Sequence, residues 1–519
     1  MRTSYLAVLL LLFGCGGKSA SSPDLQPETV DLKLETVDLN GGDQRSAVSD
    51  QLEAWDLEPE TRNPEPETVT PHPWPTCPEY SDEGLSFAEK AAYLDDLVVA
   101  QHLPDGLLRT ITIGDDGAVK LHSLPSTGLW TAIYLASQAL RYAVTGEEEA
   151  QVNAGKAVEG LHHLTAVTGS SGLYGRAYQR PDFDYAWAAT PEGMWTESEA
   201  PGYEGWWWNY TVSKDTMDGI MFGYAVALEH LDDEAILSVI RADVLAFTDH
   251  LVGNGLKIID WDGKVTEHGR MCYSAMDDFP GFNAMLVLSW LRTALYAGAG
   301  EEIQHFYADC LLRMGDYTDC PEIDIVDMGS YMDAVEMFLS LYMYDCKTSY
   351  DQFDMVFHAV YPWLRFETYP DIGQRLRKLL EVGIWRPPDA DMDPPLYEST
   401  HSLYIFMYGG LASPPVDDPI FPTALNDAVC TMYRLPQDRS DPDVAAGTQE
   451  GVCINRLGRP NAGEVIPVEE RHYDNYLWRL DPYEIPEAHT AVPGLVNSPD
   501  DYLLAYWLGR YHGFITPEM

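Results

Sequence analysis

From about residue 85 the chain alternates two kinds of helical segment, and this alternation constrains the fold more than any other feature. One kind is apolar nearly all round; the other carries a single apolar stripe and a charged face. A helix that is apolar on every side is buried on every side, whereas a striped one faces water. The apolar segments span about residues 127–144, 215–229, 282–296, 330–344 and 402–411. Each is followed by a striped partner, at about 148–167, 233–252, 302–314, 349–364 and 422–433. That makes five hairpins. The striped stretch 87–100 and the apolar stretch 502–508 can pair as a sixth and close a ring. The segment 372–382 is an extra helix with no place in this scheme. Six apolar helices inside six striped ones predict an all-α (α/α)6 toroid over residues 77–519. At 519 residues the chain is too long for one ordinary core, but not for a toroid.

Three stretches carry a resemblance. The first is Gly128-Leu129-Trp130-Thr131 with Leu140-Arg141-Tyr142-Ala143-Val144-Thr145-Gly146. The second is Ser213-Lys214-Asp215 with Gly219 and Phe222-Gly223-Tyr224. The third is Tyr502-Leu503-Leu504-Ala505-Tyr506-Trp507-Leu508-Gly509-Arg510-Tyr511. Over about residues 85–515 the chain resembles bacterial members of the six-hairpin glycosidase-like superfamily. The resemblance implies the toroid and the handling of carbohydrate. Several enzyme classes share the scaffold, so it specifies fold better than reaction.

The N-terminus reads as an export signal. Met1-Arg2 precedes an apolar run from Tyr5 to Phe13, too short to span a membrane as a mature helix. Leu12-Phe13-Gly14-Cys15 resembles the lipobox of bacterial lipoproteins, which implies a signal peptide over 1–15 and a lipid (palmitate-bearing) anchor on Cys15. Gly16 follows where an aspartate would imply inner-membrane retention, so the resemblance implies the outer membrane. Residues 16–76 lack helical or strand periodicity and are rich in Pro, Glu and Thr, with a loose repeat at Pro27-Glu28-Thr29-Val30, Leu34-Glu35-Thr36-Val37 and Pro66-Glu67-Thr68-Val69. Low hydrophobicity and like charges predict a disordered, extended acidic tether.

The chain holds 82 acidic and 32 basic residues, a formal net charge of -50. Such a chain repels phosphate backbones, which excludes nucleic acid as a partner. Of its eight cysteines, seven follow Cys15. Export permits disulfides. An odd count leaves at least one free or paired between chains. Proximity suggests Cys310 with Cys320 and Cys430 with Cys453. No CxxC pair or Cys/His spacing points to zinc, and there is no phosphate loop, GxSxG elbow or HExxH. Asp389, Asp391 and Asp393 alternate like the start of a calcium loop. Pro394 and Thr400 exclude an EF-hand and leave only a loose Ca²⁺ site; no other cofactor is expected.

In such a toroid the inner helices run parallel, and their N-termini share one face. Their starts carry His122 and Ser123, Asp215 and Asp218, Asp277 and Asp278, Asp327 and Asp333, Glu398 and His401, and Asp500 and Asp501. Converging carboxylates with separated pKa values suit glycoside hydrolysis. We expect Asp218 as one catalytic carboxylate with Asp215 positioning it, and Glu398 opposite it with His401 beside. Acids at helix starts also serve as caps, and Asp215 with Asp218 fits a capping box. The long loop 169–212 is rich in Trp and Tyr. Its Trp206, Trp207, Trp208 and Tyr210, with His122, are expected to bind a sugar ring by stacking and hydrogen bonds, or to plug the barrel mouth. Asp260-Trp261-Asp262-Gly263-Lys264 predicts a turn between short strands.

The expected function is that of a lipid-anchored cell-envelope protein acting on an oligo- or polysaccharide, by glycoside hydrolysis with paired carboxylates. One alternative is a polysaccharide lyase with Tyr210 or His401 as base, favoured if Arg109, Lys120 and Arg176 gather at the bowl. The other is a non-catalytic lipoprotein that binds a glycan or protein. Cys15→Ala is expected to abolish palmitate incorporation and release the protein from membranes, read by metabolic labelling and fractionation.

Overall fold

The computed structural model describes residues 77, 85–272, 280–316, 318–321, 329–342, 350–386, 395–412, 418–455, 457–472 and 476–519. Cys15, the tether over 16–76, Asp277, Asp278, Asp327, Asp389, Asp391 and Asp393 lie outside these residues.

The helices are α1 (Phe87–Leu97), α2 (Thr127–Thr145), α3 (Glu148–Ala166), α4 (Lys214–His230), α5 (Glu234–Gly253), α6 (Pro280–Tyr296) and α7 (Glu301–His305). They continue with α8 (Tyr331–Tyr342), α9 (Tyr350–Phe366), α10 (Pro370–Leu379), α11 (Ser402–Ala412), α12 (Phe421–Arg434) and α13 (Asp500–Tyr511). They form the expected α/α toroid. Around the inner ring α2 packs on α4, α4 on α6, α6 on α9, α9 on α11, α11 on α13, and α13 back on α2. Outer helices α3, α5 and α12 lie against this ring. The predicted sixth hairpin forms from the two ends of the domain: α1 packs on α13, and Tyr502 Oη donates to the Phe87 carbonyl at 3.2 Å.

One hairpin is built differently from expectation. The segment 349–364 reads as striped, yet in α9 every residue from Gln352 to Leu364 is buried. Helix α9 is an inner helix, packed against α4, α6 and α11. Its polar residues Asp354 and His358 hold the inward contacts that the periodicity assigns to a wet face. Helix α8, expected in that inner place, packs against α6 and α10. The unplaced helix is α10, continued by a π turn over Leu380–Trp385.

The inner helices run parallel. At one end α4, α9 and α13 finish together: Arg365 pairs with Glu229 (Nε to Oε2 2.6 Å) and donates to Tyr511 Oη at 2.8 Å. At the other end α2, α9, α11 and α13 begin around one short segment, Tyr476 to Leu480. Close approach of α4 to α2 depends on two glycines. A Cβ on Gly219 would lie 2.5 Å from Leu129, and one on Gly223 would lie 2.4 Å from the Ala132 carbonyl oxygen. Any side chain there would push the inner pair apart.

Short strands fill the loops: β1 (Ile111–Ile113), β2 (Val119–Leu121), β3 (Tyr178–Gln179), β4 (Trp195–Glu197), β5 (Trp207–Asn209), β6 (Lys257–Ile259), β7 (Val265–Arg270), β8 (Cys453–Ile454), β9 (Pro460–Asn461) and β10 (Leu495–Val496). The order β10-β1-β2 brings the C-terminal loops back to the start of the domain, and β3-β5-β4 is built from the aromatic loop. The predicted turn after Asp260 joins β6 to β7.

Cys310 pairs with Cys320 as expected. Cys430 pairs with Cys77 rather than Cys453, which joins the start of the domain to α12 across 353 residues. Proximity in sequence misled here because the ring brings its two ends together. Cys272 and Cys453 are also disulfide-bonded, and none of the described cysteines is free. Cys430→Ser is expected to lower stability by about 2–5 kcal/mol, measured by denaturant unfolding, because it frees the unfolded chain from a very long loop.

Candidate active site

The mouth of the ring at the N-terminal ends of the inner helices is closed by the segment 476–480. Tyr476 stacks on Trp130 with centroids 4.7 Å apart. Leu477 N–H donates to Asp501 Oδ2 at 3.3 Å, and the Trp478 indole donates to the Asp501 carbonyl at 2.7 Å. Asp501 also takes the Arg439 guanidinium at 2.9 and 3.0 Å, with both side chains fully buried. The plug is therefore a C-terminal segment. The aromatic loop 169–212 lies elsewhere.

Below the plug a line of polar groups threads the barrel. Trp290 Nε1 approaches Asp218 Oδ1 at 3.4 Å, His358 Nδ1 lies 4.0 Å from Asp218 Oδ2, and His358 Nε2 lies 3.5 Å from Asp354 Oδ1. Tyr404 Oη lies 3.3 Å from Asp354 Oδ1 and donates to the Trp478 carbonyl at 2.5 Å. Phe222 stacks on His358 at 4.7 Å. Burial pushes Asp218 and Asp354 well above the usual carboxylate range and lowers His358 to about 3. Burial thus favours the protonated form of both acids and keeps the imidazole neutral at pH 7.

From Tyr404 a stack of rings leads outward. His401 lies parallel to Tyr404 at 4.7 Å, and Tyr350 lies parallel to His401 at 5.3 Å. His401 is fully buried, and its Nε2 faces the Leu480 carbonyl at 3.2 Å. Burial, with the nearby Arg471 charge, holds its pKa well below the ordinary value, so it stays neutral.

Tyr350 opens onto a cavity of about 500 Å³. Its floor is Tyr350 and Asp351 at the start of α9, with Arg479, Leu480 and Asp481 of the plug. Its walls are Asn455, Arg459, Arg471, His472, Glu484, Glu487 and His489 from the C-terminal loops. Arg459 pairs with Glu484, and Arg479 lies 3.7 Å from Asp351. Arg471 differs from both. It is 6% exposed and its Nε donates to the Ile466 carbonyl at 2.7 Å, yet among the described residues no carboxylate reaches its guanidinium. Burial lowers it to about 10, still charged at pH 7. Asp481 is raised to about 6, chiefly by burial, and accepts from Tyr483 N–H at 2.9 Å.

The predicted site residues divide. Asp218 is 1% exposed and does not line the cavity. Asp215 sits half-buried on the first turn of α4, and the N-cap is Ser213, whose Oγ accepts from Thr216 N–H at 3.2 Å. Glu398 is exposed in a 3₁₀ turn, so the expected pair of Asp218 and Glu398 shares no open site. An inner helix that is buried all round buries its acids too, while Glu398 precedes its helix on the rim. His401 lies one ring behind the cavity wall. Asp333 caps α8 through Ser330 N–H at 2.8 Å.

The aromatic loop does not reach the cavity wall. Trp208 is 2% exposed in the centre of its sheet, and Trp207 is half-buried beside it. Trp206 packs on Tyr203, Tyr178 and His163 at 5.0–5.3 Å, and Tyr210 packs on Trp261. His122 bonds Thr112 Oγ1 through Nε2 at 2.7 Å and packs on Trp187. These rings fasten the loop to the outer wall at α3. Arg109 is buried against Asp105, Arg176 donates to the Pro125 carbonyl, and Lys120 lies exposed on β2, so the cations proposed for a lyase do not gather at the cavity. The cations that do gather come from residues 459–489, a stretch with no helical periodicity. The stretch holds three arginines against seven acidic residues, so its composition gave no signal of this cluster.

No protein family and no curated protein matches the chain. Among solved structures it is similar to an unsaturated glucuronyl hydrolase specific for heparin, at 10% identity over 82% of this chain and 95% of that one, with a TM-score of 0.38. It is likewise similar to the cellobiose 2-epimerase of Spirochaeta thermophila, at 12% identity over 82% and 96%, with a TM-score of 0.39. A glycosyl hydrolase family 88 protein from Bacteroides vulgatus is 12% identical over 84% and 99%, with a TM-score of 0.32.

The buried acids yield a test. Asp218 keeps its proton in the fold, while the unfolded chain releases it above about pH 4. Folding then takes up a proton, and this term weakens the fold as pH rises above about 4. His358 acts in the opposite sense between about pH 3 and 6.5, since it must stay neutral to remain buried. Asp218→Asn removes only the first term. Its stability relative to the parent is expected to improve steadily from pH 4 to pH 8, measured by urea midpoints. A difference independent of pH would show that Asp218 is ionised in the fold.

Proposed function

We propose that the protein is an exported, lipid-anchored enzyme that hydrolyses an acidic oligosaccharide in the cavity beneath the C-terminal loops. The observation that carries this reading is Arg471. Among the described residues Asp481 and Glu469 act on this buried cation only from beyond ion-pair distance, and a ligand carboxylate would add two direct charge-assisted hydrogen bonds. Sugar fits the remainder of the wall. The Tyr350 ring offers a flat face, and Asn455, Asp351 and Glu487 offer partners for hydroxyl groups. The cavity is also large enough for one or two sugar rings.

Asp481 is the group best placed for acid catalysis. With a pKa near 6 it is largely protonated in mildly acidic medium, as a general acid for a glycosidic oxygen must be. Asp351, which is exposed at the cavity floor, and Glu487 are the carboxylates placed to act as base or nucleophile. The catalytic roles expected of Asp218 and Glu398 thus pass to residues of the plug and the loops. The aromatic loop keeps a structural role, and the anchor on Cys15 would hold the domain at the cell envelope.

The test uses the full chain with a panel of uronate-containing and neutral oligosaccharides, read for product release. Cleavage of the acidic members is expected, with kcat falling as pH rises above about 6. Asp481→Asn should lower kcat by about 10²–10⁴-fold. Arg471→Gln should raise KM for acidic substrates by about 10–100-fold and leave neutral ones unaffected. Binding without turnover would reassign the protein as a glycan-binding lipoprotein. Equal binding of neutral and acidic sugars would remove the role given to Arg471.

A further inference from the structure

On the wall of the same cavity, Asp441, His472 and His489 bring one carboxylate and two imidazoles together, and their ligand atoms all lie within 4.8 Å of one another. His489 Nε2 is 2.9 Å from Asp441 Oδ2, His472 Nε2 is 3.6 Å from Asp441 Oδ1, and the two rings are 3.9 Å apart. We propose that these three residues bind a divalent transition-metal ion, with a remaining coordination position open to the cavity.

The spacing suits this. Bonds of about 2.0–2.2 Å in a tetrahedral site place neighbouring donors about 3.4 Å apart. Two imidazoles with one carboxylate form a donor set that selects zinc-like ions over calcium or magnesium, which prefer all-oxygen shells. Three protein ligands leave an open place of the kind that reactive sites keep.

The backbone holds the donors ready. Val444 and His489 exchange paired backbone bonds at 2.9 and 3.0 Å, and Asp441 N–H donates to the Leu495 carbonyl at 2.9 Å. Val492 N–H donates to Asp441 Oδ2 at 2.7 Å, which orients the carboxylate and supplies the outer-shell bond that metal-binding carboxylates ordinarily carry. Asp441 is 6% exposed, while His472 and His489 both line the cavity, so an ion enters from the cavity side. A carboxylate and an imidazole bonded to each other would explain Asp441 with His489. They leave unexplained why a second imidazole turns its Nε2 toward the same carboxylate. The other cluster of this kind, His305 with Cys310 and Cys320, has both its sulfurs in a disulfide and makes no comparable site.

The inference stands apart from the sugar reading, because binding of the ion is measured without any carbohydrate. The full chain, stripped with a chelator and dialysed, is titrated with Zn²⁺ against a chromophoric competitor and then with Co²⁺ for its visible absorption. One equivalent of Zn²⁺ is expected to bind, with a Co²⁺ spectrum of low coordination number. His489→Ala should weaken binding by more than the 10–100-fold typical of losing an outer-shell partner. His472→Ala, which changes a partly exposed side chain, should do the same with the far-ultraviolet circular dichroism unchanged. Saturating Zn²⁺ should raise the Tm of the parent and leave that of His489→Ala unmoved. No uptake, uptake that survives both substitutions, or uptake lost in His305→Ala instead would each overturn the assignment.

Discussion

The ion pair between Asp501 and Arg439 holds the functional end of the molecule together. Both side chains are fully buried. Asp501 opens the last inner helix, and it gathers the Arg439 guanidinium, the Leu477 amide and the Trp478 indole around itself. Breaking such a pair strands a charge in the interior, at about 3–5 kcal/mol. Through that one residue the end of the ring fastens the plug, and the plug supplies the cavity floor. The line of contacts continues inward through Tyr404 and Asp354 to Asp218. The mouth of the barrel is thus closed by its own C-terminal chain, and the cavity lies above the closure.

Charge is partitioned accordingly. The chain as a whole carries -50, and the cavity sets Arg459, Arg471, Arg479, His472 and His489 beside Asp351, Asp481, Glu484 and Glu487. Two of the arginines stand against acidic partners. Arg471 feels Asp481 and Glu469, but among the described residues no carboxylate pairs with it directly, and its low exposure makes that arrangement costly. The carboxylates of the barrel axis meet a different condition: burial favours their protonated form.

Much of the architecture was legible because burial leaves a periodic trace. Helices α2, α4, α6, α11 and α13 are apolar on all sides, and the sequence marks each as internal. Helix α9 escaped because Gln352, Asp354, His358 and Tyr361 give it a polar stripe that reads as a wet face. In the fold that stripe meets the carboxylate of Asp218 and the hydroxyls of Tyr404 and its neighbours. Polar groups that face one another inside a protein cannot be told from solvated ones by periodicity. The aromatic loop was ambiguous for a related reason: its rings suit a sugar platform and a packed wall equally well, and here Tyr178, Trp195, Trp207 and Trp208 lie in a small sheet.

By itself the sequence determined the local and the repetitive: which segments are helical, which of them are apolar all round, that their number suits a closed ring, and that its two ends should meet. Those properties follow from side-chain chemistry at neighbouring positions. Only the tertiary structure decided which acids are sealed and which are accessible, what plugs the barrel, and where the cavity lies. Tyr350, Asp441, Arg471, Asp481 and His489 come to one place from across some 140 positions of chain. No pattern of nearest neighbours encodes that meeting, which arises from the long-range packing of the ring on its closing segment.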